Sequence, residues 1–281
     1  MKKLEPYIGI NGGGFNNMKD IWKLQNESPN RDIIMGVQAT EKTQVYNQEN
    51  KYGREWHPVG RAMKAWWVDY GWKQMLHVNT DSKVPASVAA VSRLMLERTI
   101  VTVHDETDLG TPYTTQEMQC SKVQFNNLPF YEQDYLPLFE MLATETNPKT
   151  HKQQIVLQAN SDSMDALTPV KFAKEIKRYE PTIAGVLLDP SGGKGTPLNA
   201  TQLRRYIDKI YDMDVAVGIA GGLNTETVEP LAGKLLAQYP SLSVDAESGL
   251  RNGYFSDRPS ESTFSFDKAF SFVKAVNQLV R

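Results

Sequence analysis

One feature constrains this chain more than any other: short apolar runs alternate with longer segments of helical spacing along its length. Apolar residues every three or four positions mark a helix packed on one face. A run of four to six apolar residues between turn signals marks a strand buried on both faces. The second half is the most regular. Gln154–Gln158 reads as a buried strand. Pro169–Tyr179 follows as a helix, with Val170, Phe172, Ala173 and Ile176 at helical spacing. Thr168 suits its cap, and Pro169 its first turn, where a missing N–H costs nothing. The same unit recurs in Ala184–Leu188 with Asn199–Tyr211, in Val215–Ala220 with Thr225–Tyr239, and in Leu242–Asp245 with Phe266–Leu279. Ser265 or Asp267 caps the last helix.

The first half carries a weaker version of the rhythm. Strands are expected at Tyr7–Asn11, Ile33–Val37, Met75–Val78 and Lys122–Phe125. Helices are expected at Met18–Leu24, Pro58–Tyr70, Ser87–Arg98 and Gln133–Ala143. That makes eight strand–helix units. Alternation of this kind implies a parallel sheet covered by helices. Eight units in 281 residues fit an α/β chain closed as a (β/α)8 TIM barrel, one domain over residues 1–281. An open doubly wound sheet is the competitor. Segments at about 41–55, 99–119 and 251–263 exceed the minimal unit and read as long polar loops.

Composition narrows the partners. Lys and Arg number 31 against 33 Asp and Glu, so a general nucleic-acid surface is not expected. The lone Cys120 excludes a disulfide framework and a cysteine zinc cage. No apolar run approaches the length of a membrane span, and the start lacks a signal-peptide core. We expect a cytoplasmic protein that touches no membrane. His57, His77, His104 and His151 show no metal-binding spacing, and Gly12–Gly14 matches no nucleotide-binding fingerprint, so neither a metal nor a cofactor is expected. Trp56, Trp66, Trp67 and Trp72 suit core packing, a ring pocket or a homo-oligomer interface alike.

In a parallel barrel, chemistry gathers at the carboxyl ends of the strands. After the sixth strand stands Asp189-Pro190-Ser191-Gly192-Gly193-Lys194-Gly195. After the seventh stands Gly221-Gly222-Leu223-Asn224, and after the eighth Ala246-Glu247-Ser248-Gly249. Glycines among small polar residues let backbone N–H groups approach a phosphate, and the last two loops of this fold are a recurrent phosphate site. Gly193, Gly221, Gly222, Ser248 and Gly249 are therefore phosphate-binding candidates. The other reading of the same glycines is tight turns.

These segments, taken with Val123-Gln124-Phe125-Asn126, resemble phosphoribosylanthranilate isomerase. The resemblance covers about residues 120–255 and is strongest over 184–250. It implies a (β/α)8 barrel that binds a phosphorylated ribose-like ligand, with Asp189 as the acid of an Amadori-type isomerisation. It also places Asn11 where that family has its catalytic cysteine and Asn126 where it has a histidine. An amide cannot accept a proton at useful pH, so the base must lie elsewhere. Glu247, Asp81 and His77 are the candidates. Arg54, Gln124, Asn126 and Asn11 are candidates for holding substrate, Arg54 by a bidentate carboxylate contact. The sequence thus points to an isomerase-like enzyme on a small phosphorylated substrate. A non-catalytic descendant that keeps the phosphate site, or an epimerase or aldolase on a phosphosugar, stands as the alternative.

Overall fold

The computed structural model describes residues 3–11, 23–40, 74–97, 101–104, 115–118, 122–144, 153–192, 194–253 and 263–280. In chain order the first elements are β1 (Tyr7–Asn11), β2 (Asp32–Thr40), β3 (Gln74–Asn79), α1 (Pro85–Glu97), β4 (Val101–His104), β5 (Thr115–Met118), β6 (Lys122–Phe125) and α2 (Leu136–Thr144). Then come β7 (Gln154–Asn160), α3 (Ser161–Ala166), α4 (Pro169–Tyr179), β8 (Gly185–Asp189), α5 (Ala200–Ile210), β9 (Ala216–Ile219) and α6 (Val228–Gln238). The chain ends with β10 (Ser243–Ala246), β11 (Arg251–Asn252), β12 (Thr263–Phe264) and α7 (Phe266–Leu279).

Eight strands close on themselves in the order β1-β10-β9-β8-β7-β6-β3-β2. Every pairing in that ring is parallel. All eight strands expected from the sequence are present, and the open sheet is excluded. Thr168 caps α4, Asn199 caps α5 and Ser265 caps α7, each side chain accepting a backbone N–H. The expected helix at 58–70 lies outside the described residues. So does most of that at 18–24, of which Lys23 and Leu24 are helical.

Two expectations need correction. Segment 99–119 is not simply a loop, because β4 and β5 pair antiparallel within it. Val101, Thr102 and Val103 are β-branched, and a local antiparallel ribbon needs only a reversal of the chain, not a place in the barrel. Segment 251–263 likewise contains the short antiparallel pair β11 and β12. The residues just after β7 form the short helix α3, capped by Asn160. Asn160 Oδ1 accepts from Ser163 N at 3.1 Å. The segment 41–55 lies outside the described residues.

Side chains on a strand alternate between its two faces. One set, including Ile8, Ile33, Leu76, Phe125, Leu157, Leu188 and Val244, packs outward beneath the helices. The other faces the barrel interior and changes character along the strands. Near their amino ends it is apolar, with Tyr7, Ile34, Met75, Val156, Leu187 and Ala216 forming their own cluster. Toward their carboxyl ends it turns polar. Asn11, Gln38, His77, Gln124, Gln158, Asp189 and Asp245 are all buried there. Two glycines make room for them. A Cβ at Gly9 would stand 2.7 Å from Asp245 Cγ. One at Gly36 would stand 1.7 Å from Asn11 Oδ1 and 2.7 Å from His77 Nε2. Gly36→Ala is therefore expected to force Asn11 out of place and to cost about 1–3 kcal/mol of stability, as other overpacked interiors do. Urea denaturation measures it, and an unchanged midpoint would show that Asn11 yields freely.

Candidate functional site

The polar half of the barrel forms a well walled by carboxamides and carboxylates. β8 ends in Asp189, which is buried. Its Oδ2 accepts from Gln158 Nε2 at 2.7 Å, and its Oδ1 accepts from Ser191 N at 3.1 Å and Ser191 Oγ at 2.6 Å. Every one of these bonds reaches Asp189 as an acceptor, the pattern of a carboxylate held by neutral donors.

β10 supplies Asp245, opposite Gly9 in the β1 register. It is 3% exposed and accepts from Asn11 Nδ2. Burial raises its pKa well above the usual carboxylate range. The charges of Glu247 and Asp189 raise it further, against a lowering by the Asn11 hydrogen bond. Desolvation disfavours the charged form, and like charges nearby disfavour it again. Burial and these neighbouring charges thus favour the protonated form of Asp245. Two residues on, Glu247 is half-buried and its Oε2 accepts from Gln38 Nε2 at 3.4 Å. Gln38 Oε1 in turn accepts from Asn79 Nδ2 at 2.7 Å. Glu247 is turned into the mouth of the barrel.

His77, expected as a base candidate, stands in β3 next to Gln124 of β6. Its Nδ1 lies 3.3 Å from Gln124 Nε2, and Gln124 Nε2 also donates to Asn126 Oδ1 at 2.8 Å. Burial lowers the His77 pKa to about 3. A ring that releases its proton so readily is a poor base. Its geometry is that of a neutral hydrogen-bonding group in the wall.

Asp81 is exposed just past β3. The neighbouring Lys83 turns its ammonium back on Thr80 O at 2.7 Å. Arg54 and Gly193 lie outside the described residues. Asn11 and Asn126 are in the well, as the sequence implied. Asp245, Gln38 and Gln158 were missed. The signal that could have found them is alternation: Asp245 stands on the inward face of β10, two residues before Glu247, and an Asp within an apolar strand is costly to bury.

The glycine loops come together beside this well. A Cβ on Gly249, after β10, would lie 2.3 Å from Leu223 O and 2.8 Å from Asn224 Cβ, both after β9. A Cβ on Gly222 would lie 2.8 Å from Gly195 O, and Gly222 has φ +60°. These glycines are demanded by loop-on-loop packing, whatever else they do. Thr227 Oγ1 donates to Gly222 O at 2.8 Å, and Asn224 Oδ1 accepts from Thr227 N at 2.9 Å. Gly221, Gly222, Ser248 and Gly249 thus share one corner of the rim.

No protein-family model and no curated protein matches this chain. Solved structures do. The tryptophan synthase alpha subunit of Legionella pneumophila is similar at a TM-score of 0.51 and 10% identity, over 99% of this chain and 92% of that one. The fold is a TIM barrel. Two further solved structures align less closely. The native KDPGal structure has a TM-score of 0.47 at 14% identity, covering 100% of this chain and 99% of that one. The OMP decarboxylase of Leishmania donovani has 0.48 at 9%, covering 97% and 93%. Likeness at such identities speaks for the barrel alone. Among the described residues, no helix is long and apolar enough to cross a membrane.

Proposed function

We propose that this chain is an enzyme of isomerase type that moves a proton on a small sugar phosphate. The reading rests on one observation above the rest: Asp245 is a buried carboxyl whose pKa is raised by burial and by the charges of Glu247 and Asp189. Environments that push neighbouring carboxyls apart in pKa are how one site carries both an acid and a base. Here the neutral Asp245 gives its proton to the sugar ring oxygen as the bond from that oxygen to the anomeric carbon breaks, and regains one from the anomeric hydroxyl as the carbonyl forms. Glu247, turned into the mouth, takes the proton from the carbon beside the carbonyl and returns it to the carbonyl carbon, which completes the isomerisation. Asp189, which the resemblance marks as the acid, serves through its charge, which helps to keep Asp245 protonated. The absence of the expected cysteine at Asn11 then has a counterpart: Asn11 positions the acid on the neighbouring strand. The phosphate belongs at the rim near Gly222, Ser248 and Gly249, where a dianion would meet backbone N–H groups. A Schiff-base aldolase is less well supported, because none of the described interior positions of the upper barrel is Lys.

Thermal shift tests the phosphate end. Ribose 5-phosphate is expected to raise the melting temperature and free ribose not to. Ser248→Asp, which adds a carboxylate at the half-buried rim without touching a glycine turn, is expected to erase the shift. Equal shifts from ribose and ribose 5-phosphate, or a Ser248→Asp variant that responds like the parent, would remove the phosphate from this corner. A non-catalytic binder would show the shift and yet exchange no proton with solvent.

A further inference from the structure

Asp189 is 4% exposed, and donors meet both of its carboxyl oxygens. Two of those donors come from its own turn. Gly192 N bonds to Asp189 O at 3.0 Å, and Gly192 has φ +55°. Pro190 holds the second place of that turn with its φ already set, and a glycine takes the positive φ without strain. The turn brings Ser191 back over the carboxyl, so that its N–H and its hydroxyl both donate to Oδ1. A further donor comes from the neighbouring strand. Gln158 stands in β7, paired with β8, and its Nε2 donates to Oδ2. Ser191 and Gln158 are buried, so these bonds are shielded from bulk water. Among the described residues, Gln158 Oε1 meets no donor. The amide thus leaves its own oxygen unpaired and turns its nitrogen to Asp189, the orientation that a carboxylate, which only accepts, demands.

We propose that Gln158 and Ser191 are positioning residues of this site: they hold Asp189 as a fixed carboxylate, the standing anion of the well, and leave the donor's part to Asp245. Hydrogen bonds to a charged form favour that form, so donors on both oxygens oppose protonation of Asp189. Asp245 has other surroundings. It accepts from Asn11, while burial and the charges of Glu247 and Asp189 work against its own charge. Two aspartates of one well, held so differently, are driven apart in proton affinity. Other titratable groups at this end of the barrel act less directly. Burial keeps His77 and Tyr7 uncharged, with the charge of Asp245 acting on Tyr7 as well. Lys194, on the loop that carries Ser191, is exposed, as is Asp81, and Lys83 turns to Thr80 O. The donor's part given to Asp245 rests on the proposed function; the anchoring of Asp189 rests on its hydrogen bonds alone.

A pH titration of the ligand-free protein, with its aspartates labelled at the side-chain carboxyl carbon and followed by carbon NMR, tests this. Asp189→Asn and Asp245→Asn assign the two signals, and both are followed because interacting carboxyls ionise in shared steps. In the parent, Asp189 is expected to ionise at lower pH than Asp245. Ser191→Ala removes the hydroxyl donor and keeps the N–H. Gln158→Met removes the amide donor and fills a similar space. Each is expected to move the ionisation of Asp189 to higher pH, and the double variant further than either. Ser191→Thr, which keeps both donors, is expected to titrate like the parent. An Asp189 that ionises after Asp245 in the parent overturns the proposal. So does an Asp189 whose titration is the same in Ser191→Ala and Gln158→Met as in the parent; should Gln158→Met fail to fold, Ser191→Ala alone decides. No sugar is present, so a chain that moved no proton on a sugar phosphate would strike the proposed function and leave this result untouched.

Discussion

Asp245→Asn is expected to slow proton exchange at the carbon beside the carbonyl of a bound sugar phosphate by about 10²–10⁴-fold, the usual worth of a positioned general acid. The loss should fall on kcat with KM little changed, because the amide still fills the space beside Asn11 but has no proton of useful acidity to give. Deuterium incorporation from heavy water, followed by NMR, measures it. Stability should move the other way with pH. The folded pKa of Asp245 is raised, so the folded chain keeps this proton after the unfolded chain has lost it. Stability from this group is therefore present below the ordinary carboxylate pKa and is lost as pH rises through the folded one. The Asn variant should lack that loss and melt above the parent in mildly alkaline buffer. An exchange rate within about threefold of the parent would take Asp245 out of the chemistry, since a positioned acid is worth far more than that.

Acidification should expose His77. Its pKa falls to about 3 in the fold, from an ordinary value near 6.5. Between those values the unfolded chain binds the proton and the folded chain does not. Stability is then complete above about pH 6.5 and is lost as pH falls toward about 3. The full loss is roughly 5 kcal/mol, at about 1.4 kcal/mol per pH unit. His77 is 2% exposed, so solvent does little to screen it. His77→Gln keeps a hydrogen-bonding side chain beside Gln124 and cannot be protonated. Its urea midpoint should be much flatter with pH over that window than the parent's. Asp245 contributes with the opposite sign above the ordinary carboxylate pKa, so the double variant with Asp245→Asn separates the two. Parallel pH profiles for His77→Gln and its parent would mean that the ring is protonated in the native state.

The barrel strands and most of the described helices were legible because each depends on a few consecutive residues. Gln154–Gln158 is apolar enough to be a buried strand wherever it sits, and Pro169 behind Thr168 starts a helix by its own geometry. The ribbon of β4 and β5 was not legible, because each strand is only four residues long and lies between polar stretches. Asp189 and Glu247 were singled out at strand ends, Gln124, Asn126 and Asn11 through the resemblance, and His77 within a strand; all face the polar half of the barrel. Asp245 was counted only as the end of an apolar strand, and Asp81 was given a weight that its exposure does not support.

By itself, then, the order of residues determined how many strands would form the barrel, which face of each would be apolar, and where along each strand polar groups would begin. These follow from side-chain size and polarity read at a spacing of two or three to four residues. Closure of the ring decided the rest. It set β10 beside β1 and so put Asn11 against Asp245, residues 234 positions apart. It also brought Asp189 and Glu247 near enough for their charge to act on that carboxyl. The proton affinity of a buried group is a property of its neighbours and of the water it has lost, and neither exists until the barrel has closed.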